Sequence, residues 1–209
     1  SPEEVAKIEA AQAITDAAFQ HILPFIKEGA KERDLALEIE FFMRKNGAEN
    51  VAFELIVAAG KNGSQCHAVP SDYQVQKGDF VTMDTGAMLD GYHSDMTRTV
   101  ALGKVSEEQR KVYETVLQAQ LAVIEGVKPG VLCCDVDKIA RDIIEKDYPG
   151  TFGHGFGHGV GFEIHEWPGF SHRDKTPCAE GMVITDEPGI YVPGEFGVRI
   201  EDTILIHED

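Results

Sequence analysis

Two acidic residues flank a turn-forming sequence in the first half of the chain. Asp84 and Asp95 lie on either side of Leu89-Asp90-Gly91 in the stretch VTMDTGAMLDGYHSDMTRT. An Asp-Gly pair between β-prone residues predicts a hairpin, and a turn centred on Leu89-Asp90 places Asp84 directly opposite Asp95. A slip of one or two residues still leaves the carboxylates close together. Because facing like charges destabilise a strand pair, these aspartates need an explanation beyond hairpin formation.

A second acidic pair lies in a predicted hairpin near the end of the chain. The stretch VITDEPGIYVPGEFGVRIEDTILI predicts a turn around Pro193-Gly194-Glu195, which places Glu187 opposite Glu201. Carboxylates on the buried side of strands are costly unless cations neutralise them. Two-metal hydrolase sites hold their ions about 3.5–4 Å apart, a spacing that suits carboxylates across a hairpin. We therefore predict that the two acidic pairs bind two divalent ions, with solvated strand residues as the alternative.

Histidines cluster in a glycine-rich stretch between the two hairpins. FGHGFGHGVGFEIHEWP contains His154, His158 and His165. The interleaved glycines disfavour a helix and favour close backbone approach around a ligand. Imidazole combined with carboxylates suits borderline divalent metals. We expect this stretch to join the acidic pairs, whereas His172 and His207 lack such a context.

Several familiar catalytic motifs are missing from the sequence. His165-Glu166 has no second histidine at the spacing of a HExxH zinc site, and Gly153 to Gly161 lacks the ending of a phosphate-binding loop. There is no Gly-x-Ser-x-Gly elbow. Asp84-Thr85-Gly86 is similar to an aspartic-protease triplet, but its counterpart is Glu187-Pro188-Gly189. A symmetric aspartate dyad is therefore excluded.

Helical periodicity and capping sequences predict two pairs of helices. Ser1-Pro2-Glu3-Glu4 begins the first helix, and Glu32 to Lys45 forms the second. Ser106-Glu107-Glu108-Gln109 is a capping box that begins the third, and Asp135 to Lys146 forms the fourth. Val51 to Ala58 is predicted to form a strand before the first hairpin.

The order of helix, helix and hairpin occurs twice, and short sequences recur with it. Lys27-Glu28-Gly29 is matched by Lys128-Pro129-Gly130, and Asp84-Thr85-Gly86 by Glu187-Pro188-Gly189. The similar offsets favour an internal duplication with halves of about 1–103 and 104–209. We therefore predict one α+β domain over residues 1–209.

The composition is that of a soluble globular protein, with 43% hydrophobic and 26% charged residues among 209. No apolar run approaches the ~18 residues of a membrane span. The acidic start SPEEVAKIEA has neither a signal region nor an initiator Met, which suggests a trimmed chain. A formal net charge of -17 disfavours nucleic acid and anionic membranes as partners. The cysteines form no C-x-x-C pair, which favours reduced thiols in the cytoplasm.

Four stretches together carry a family resemblance: HAVPSD, MDTGAMLDGYHSDMTRT, GHGVGFEIHE and EPGIYVPGEFGVRIEDT. From about Glu4 to His207 the chain resembles the pita-bread metallopeptidases, specifically the catalytic domain of Xaa-Pro aminopeptidases and Xaa-Pro dipeptidases. The resemblance implies a pseudo-twofold α+β fold with a curved antiparallel sheet and outer helices. It also implies cleavage before a penultimate proline by a hydroxide held between two divalent ions, with manganese expected and cobalt or zinc as alternatives. Short peptides with proline in second position are the implied substrates, and the chain could form a homodimer.

The resemblance also assigns roles to residues of this chain. The implied metal ligands are Asp84, Asp95, His158, Glu187 and Glu201. Asp84 would bind one ion, His158 and Glu187 the other, and Asp95 and Glu201 both. Glu187 would also move a proton during hydrolysis.

Further residues match positions that face the substrate or support the ligands in the family: His67, His154, His165, Arg199 and Tyr191. His165 or His154 would stabilise the oxyanion that forms during hydrolysis. Because proline has no N–H, an apolar wall is expected to receive its ring, with Tyr191 or Phe156 as candidates.

The chain departs from the family pattern in three respects. We expect the usual N-terminal domain to be missing. Asp186 stands before Glu187 where a small or apolar residue is expected, and Cys66 adjoins His67. Strand alternation should direct Asp186 away from the ions. An Xaa-Pro dipeptidase and a methionine aminopeptidase of the same fold stay open as alternatives. A non-catalytic peptide-binding module is the alternative from another class.

Overall fold

The computed structural model describes residues 1–207. In the first half, helix α1 (Pro2–Ile22) runs into a 3-10 helix (Leu23–Phe25) and is followed by helix α2 (Glu32–Lys45). The strands that follow are β1 (Asn50–Val51), β2 (Ile56–Ala59), β3 (Phe80–Thr85), β4 (Ala87–Leu89), β5 (Tyr92–His93) and β6 (Met96–Ala101). A second 3-10 helix (Gly60–Ser64) follows β2 directly.

The second half repeats the order of a helix pair followed by strands. Its helices are α3 (Glu107–Gly126) and α4 (Cys133–Asp147). Its strands are β7 (Gly157–Gly159), β8 (Glu166–Phe170), β9 (Val183–Asp186), β10 (Gly189–Val192), β11 (Phe196–Arg199) and β12 (Asp202–Leu205). The strand pairings of residues 1–207 are antiparallel, so the predicted α+β class is confirmed.

The helices begin where their capping residues predict. Ser1 forms a capping box with Glu4 at the start of α1, and Ser106 forms another with Gln109 at the start of α3. Helix α2 has the predicted limits, whereas α4 begins at Cys133, two residues before the predicted start. None of the helices within residues 1–207 combines the length and apolarity that spanning a membrane requires.

Two apolar clusters hold the helix pairs against the strands. The first packs α1 and α2 on β2 and β3, with these residues at its centre: Ile22, Leu35, Ile39, Met43, Val57, Val81 and Met83. The second packs α3 and α4 on later strands, with these residues at its centre: Val112, Val116, Ala119, Val123, Val136, Ala140, Ile144, Ile184 and Val198. Burial of these side chains removes apolar surface from water in both clusters.

The strand predicted from Val51 to Ala58 is wrong, because the chain changes sheet within it. Strand β1 pairs with β4, whereas β2 pairs with β3 in another sheet. The amide of Ala52 donates to the carbonyl of Gly86 at 2.8 Å, and the chain then bends. This bend brings Phe53 and Leu55 to the wall of a central cavity.

The first hairpin has a register two residues from the predicted one. Asp84 pairs with Thr97 rather than with Asp95, because the turn centres on Asp90-Gly91. Both residues have positive φ, at 50° and 78°, as a type I′ turn requires. Asp84 and Asp95 are therefore diagonal neighbours, within the slip that the sequence allows.

The second hairpin has the predicted register. Gly189 pairs with Arg199 across the turn, and Asp186 pairs with Asp202 farther from it. Glu187 and Glu201 lie between these two pairs, on facing segments of chain. The two hairpins meet where the amide of Glu201 donates to the carbonyl of Thr97 at 3.1 Å.

Candidate metal centre

The acidic residues of both hairpins converge on one point. Carboxylate oxygens of Asp84, Asp95 and Glu201 lie within 4.8 Å of one another. Glu201 and Asp95 are 1% and 5% exposed. Glu187 is linked to this cluster by His158, whose Nε2 lies close to both Asp95 and Glu187. The structure thus brings together the carboxylates that the two hairpins were predicted to place on a metal pair.

His158 faces this acidic cluster from β7. Its Nε2 lies 3.6 Å from Asp95 Oδ2 and 3.5 Å from Glu187 Oε1. Its Nδ1 donates to the carbonyl of Gly159 at 3.0 Å, so the Nε2 lone pair is directed at the carboxylates. Burial lowers the pKa of His158. A neutral imidazole held by its second nitrogen is the usual form of a metal-binding histidine.

Gly157 allows His158 to take this position. A Cβ at Gly157 would collide with the backbone carbonyl of Thr185 on β9, the neighbouring segment. The close approach lets the amide of His158 donate to Thr185 Oγ1 at 3.0 Å. The same hydroxyl donates to Glu187 Oε1 at 3.0 Å. Thr185 therefore fixes two of the expected ligands relative to each other.

The protonation of the cluster reflects its burial. Burial and the charge of Asp84 raise the pKa of Asp95 well above its ordinary value. Burial and the charge of Asp95 do the same to the pKa of Glu201. Burial raises the pKa of Glu187 to about 8. These carboxylates repel one another when ionised, and cations between them would remove the penalty.

The donor set fits divalent metal ions. Asp84 Oδ1 is buried and has no hydrogen-bond partner among residues 1–207, which leaves a lone pair for a metal. The other candidate donors are carboxylate oxygens and one imidazole nitrogen. Carboxylates suit manganese, imidazole suits zinc and cobalt, and the mixed set suits any of the three.

Arg199 supplies the fixed positive charge of the site. Its side chain is buried and donates to Asp84 Oδ2 at 2.7 Å and to Thr97 Oγ1 at 3.1 Å. Thr97 Oγ1 in turn donates to Glu201 Oε2 at 2.6 Å. Arg199 also donates to the Tyr191 hydroxyl at 2.9 Å. The guanidinium thus orients one acidic residue from each hairpin.

His154 lies at the far end of this hydrogen-bond chain. Its Nδ1 donates to the carbonyl of Gly155 at 2.8 Å, so its Nε2 accepts from the Tyr191 hydroxyl at 2.8 Å. Burial lowers the pKa of His154 to about 4, which keeps the ring neutral. Because both ring nitrogens have protein partners, His154 supports Tyr191 rather than presenting a free N–H to the cavity.

An ion pair on α4 holds the segment that carries His154. Arg141 donates to Asp137 through two nitrogens at 2.8 Å, and Asp137 is 1% exposed. Arg141 also donates to the carbonyls of Phe152 and His154, at 2.8 and 2.9 Å. The amide of Phe156 donates to Asp137 at 3.2 Å. Sequence reasoning missed this pair, although Asp137 and Arg141 have the i, i+4 spacing of a helix ion pair.

A cavity of 470 Å³ opens above the cluster. The expected ligands form its floor, and His67 and His165 line it together with His154. The ring centroid of His165 lies 4.3 Å from that of His158. The apolar part of the wall consists of these residues: Phe53, Leu55, Ile56, Val69, Pro70 and Ile164.

The expectation that Phe156 or Tyr191 would form the apolar wall is wrong. Phe156 is fully buried and packs against Phe170, with ring centroids 6.4 Å apart. Tyr191 is 9% exposed, and its hydroxyl is engaged by Arg199 and His154. The bend at residues 53–55, which was predicted to be part of a strand, supplies part of the wall instead, through Phe53 and Leu55.

Asp186 points away from the cavity, as strand alternation predicts. It is fully buried, and both its carboxylate oxygens have no hydrogen-bond partner among residues 1–207. Burial and the charge of Asp202, its partner on β12, raise the pKa of Asp186 to about 9. His172 and His207 are exposed and lie outside the cavity lining.

Comparison with known proteins places this chain in a family. The model of metallopeptidase family M24 matches residues 6–208, and the chain belongs to this family. The family resemblance expected from the motifs is therefore confirmed.

Individual relatives agree with this membership. An Xaa-Pro dipeptidase of Pyrococcus furiosus is 49% identical over 208 residues, covering 99% of this chain and 60% of the relative. The solved prolidase from Pyrococcus furiosus superposes with a TM-score of 0.98 at 48% identity, covering 100% of this chain and 62% of that structure. An X-Pro aminopeptidase from Thermotoga maritima superposes with a TM-score of 0.96 at 41% identity, covering 99% and 59%. These superpositions confirm the pita-bread fold class, and the chain spans about 60% of the length of the relatives it matches.

Proposed function

We propose that this protein is a metal-dependent peptidase that hydrolyses the bond between a first residue and a following proline. The observation that carries the proposal is the convergence of Asp84, Asp95, Glu187, Glu201 and His158 on the floor of one cavity. Metal ligands at the base of a partly apolar pocket are what a small peptide hydrolase requires.

We assign the residues to two ions as the family resemblance implies. Asp84 would hold one ion, His158 and Glu187 the other, and Asp95 and Glu201 both. When bound, the ions would supply an acidified water molecule and Lewis acidity toward the scissile carbonyl. Manganese is the expected metal, with cobalt or zinc as alternatives.

Glu187 is suited to accept and return a proton. A hydrogen bond from the Thr185 hydroxyl fixes its Oε1 at 3.0 Å, and the carboxylate lines the cavity. A general base must lie within hydrogen-bond reach of the proton that it takes. Glu187 would therefore take a proton from the attacking water and deliver it to the leaving proline nitrogen.

His165 is the residue we assign to the oxyanion. It lines the cavity beside His158, whereas both ring nitrogens of His154 are engaged elsewhere. An imidazole N–H aimed at the developing negative charge stabilises the tetrahedral state. His67, which also lines the cavity, would contact the substrate, while Arg199 and Tyr191 keep Asp84 in place.

The apolar part of the cavity supports the proposed preference for proline. The proline nitrogen carries no N–H, so its pocket needs apolar surface rather than an acceptor. Phe53, Ile56 and Ile164 provide such surface within the same cavity as the ligands. The acidic floor and the net charge of -17 attract the ammonium group of a free N-terminus.

Substrate length is the finer part of the proposal. The sequence motifs favour release of an N-terminal residue from peptides of varied length. The names of the more similar relatives, an Xaa-Pro dipeptidase and a prolidase, favour the dipeptide itself. We place Ala-Pro ahead of Ala-Pro-Ala as a substrate for this reason.

The test compares Ala-Pro, Ala-Pro-Ala and acetylated Ala-Pro at a fixed manganese concentration. We expect hydrolysis of Ala-Pro, slower hydrolysis of Ala-Pro-Ala, and none of the acetylated form. Ala-Ala and Met-Ala serve as matched peptides without proline. Equal rates on Ala-Pro and its acetylated form would contradict an exopeptidase, and faster hydrolysis of Met-Ala would favour a methionine aminopeptidase.

A further inference from the structure

A buried carboxylate outside the cavity lining organises one wall of the cavity. Glu32 is the first residue of α2 and is fully buried. Its Oε1 accepts from the amide of Ala59 at 2.6 Å, and its Oε2 accepts from the amide and hydroxyl of Ser71 at 3.0 and 2.6 Å. Asn62 Nδ2 lies 3.1 Å from both oxygens.

These donors lie at the two ends of one loop, residues 60–71, which we call the His67 loop. Ala59 ends β2 immediately before the loop, Asn62 lies in its 3-10 helix, and Ser71 closes it. Between Asn62 and Ser71 the loop carries residues that line the cavity: Cys66, His67, Ala68, Val69 and Pro70. The Glu32 carboxylate therefore holds both ends of the loop through hydrogen bonds.

The loop is also connected to the metal centre. Arg199 donates to the carbonyl of Cys66 at 3.2 Å, while another of its nitrogens holds Asp84. The hydroxyl of Ser64 accepts from the amide of Gly194 at 3.2 Å. A shift of the His67 loop would therefore displace His67 and disturb a contact of the residue that orients Asp84.

Hydrogen bonds satisfy Glu32 in the absence of an ion pair. Within residues 1–207, the nearby cations Lys31 and Arg33 pair with exposed Asp72 instead. Burial of a carboxylate is costly, and hydrogen bonds from several donors are needed to offset the cost. A buried charge that contacts mainly a single loop is better suited to fixing that loop than to stabilising the core.

We propose that Glu32 is a positioning residue that fixes the His67 loop and thereby the place of His67 in the cavity. Glu32 does not touch the cavity, so its effect on turnover acts through the loop. The part of this inference that concerns turnover rests on the proposed function, and the part that concerns the loop does not.

Glu32→Gln tests the proposal because it preserves shape and removes acceptors. In either orientation of the new amide, its NH₂ group faces a backbone N–H, that of Ala59 or that of Ser71. A backbone N–H can only donate, so that hydrogen bond is lost. Asp34→Asn is the matched control, since Asp34 is an exposed acid in the same turn of α2. Both changes remove one negative charge.

The cysteines report on the loop independently of catalysis. Cys66 lies in the His67 loop and Cys134 on α4, both partly exposed, whereas Cys133 and Cys178 are buried. Native alkylation with iodoacetamide, read by peptide mass spectrometry, gives the ratio of Cys66 to Cys134 labelling. We expect Glu32→Gln to raise this ratio about fivefold, as the loss of one hydrogen bond would in a local opening. Asp34→Asn should leave the ratio unchanged.

Turnover provides the second readout. In metal-loaded protein with unchanged metal content, kcat/KM for Ala-Pro should fall on the order of 10-fold in Glu32→Gln, since small misplacements are costly in catalysis. An unchanged labelling ratio in folded Glu32→Gln would overturn the proposal. If the wild type does not hydrolyse Ala-Pro, the proposed function fails, and the labelling ratio still decides the role of Glu32.

Unfolding of Glu32→Gln would be revealed by labelling of the buried Cys133 and Cys178. In that case a second variant tests the proposal. Ser71→Ala keeps the backbone N–H and removes the hydroxyl, which donates to Glu32 and accepts from Asn62 Nδ2 and the amide of Tyr73. It should raise the Cys66 to Cys134 ratio in the same direction. An unchanged ratio in Ser71→Ala would then overturn the proposal.

Discussion

Arg199 donates a hydrogen bond to Asp84 Oδ2 at 2.7 Å, and the two side chains are only 4% and 14% exposed. This contact places one fixed positive charge beside the acidic cluster. The negative charge that remains is the charge that divalent ions would balance. The contact also directs Asp84 so that Oδ1 is left without a protein partner among residues 1–207.

Asp95→Asn is expected to abolish peptide hydrolysis without destabilising the metal-free protein. Asp95 is assigned to both ions, but without metal its buried charge is repelled by Asp84 and Glu187. The measurement is thermal unfolding of wild type and variant in excess chelator, because bound metal would itself stabilise the wild type. A variant much less stable than metal-free wild type would show that Asp95 has a structural role.

Gly157→Ala is expected to weaken metal binding by displacing His158. The new Cβ would meet the backbone carbonyl of Thr185, and the adjacent His158 would move with the strand. Gly169→Ala is the matched control. Gly169 lies on β8, pairs with His158 of β7 and has open space around its Cβ position. Isothermal titration with manganese should show about 10–100-fold weaker binding for Gly157→Ala alone. Equal losses in both variants would contradict the assigned role of the close approach at Gly157.

Arg141→Met is expected to destabilise the protein and lower its activity. It leaves the buried Asp137 carboxylate without its cation, with the Phe156 amide as a remaining donor, and releases the carbonyls of Phe152 and His154. Breaking a buried pair by removing one partner costs about 3–5 kcal/mol. Lys138→Ala breaks an exposed ion pair with Asp142 on the same helix and should change the free energy of unfolding by less than about 1 kcal/mol. The free energy of unfolding is measured in urea for both variants. Similar losses in Arg141→Met and Lys138→Ala would show that burial of the Arg141–Asp137 pair does not matter for stability.

The buried, neutral His154 is expected to make the metal-free protein less stable in acid. The pKa of His154 is lowered from 6.5 to about 4, so between these values the unfolded chain binds the extra proton. Its stabilising contribution is therefore complete above about pH 6.5 and is lost as the pH falls toward 4. Carboxylates with raised pKa values stabilise the folded protein as the pH falls, which opposes the effect of His154. The test must therefore compare the pH dependence of stability between wild type and a variant that changes one histidine.

His154→Gln should show a smaller loss of stability than wild type between pH 6.5 and pH 4. His172→Gln, which changes an exposed histidine, should behave as wild type. The measurement is urea unfolding in chelator across this pH range. Parallel pH profiles for wild type and His154→Gln would contradict a buried, neutral His154.

The sequence predicts most of this fold because local chemistry decides it. Capping boxes at Ser1 and Ser106 set two helix starts, and the turn around Gly194 sets the register of Glu187 and Glu201. The register of the first hairpin was predicted two residues away, although Asp90-Gly91 is a preferred central pair of a type I′ turn. The positive φ of Asp90 and Gly91 agrees with that preference.

The residues that sequence reasoning missed act over long distances in the chain. Glu32 binds Ser71, and Arg141 binds the carbonyl that precedes Gly155, through contacts that no local pattern reveals. The strand break at Ala52 depends on pairing with Gly86 in another sheet. Spacing identifies which groups can ligate metal, whereas tertiary packing determines what holds them in place.

The most direct test of the central claim is the number of metal ions bound per chain. Wild-type protein is loaded with manganese, freed of unbound ions and measured by elemental analysis alongside protein concentration. We predict two equivalents of manganese per chain for wild type and fewer than two for Asp95→Asn, because Asp95 is assigned to both ions. A reproducible value of zero in correctly folded wild-type protein, after loading with manganese, cobalt or zinc, would contradict it.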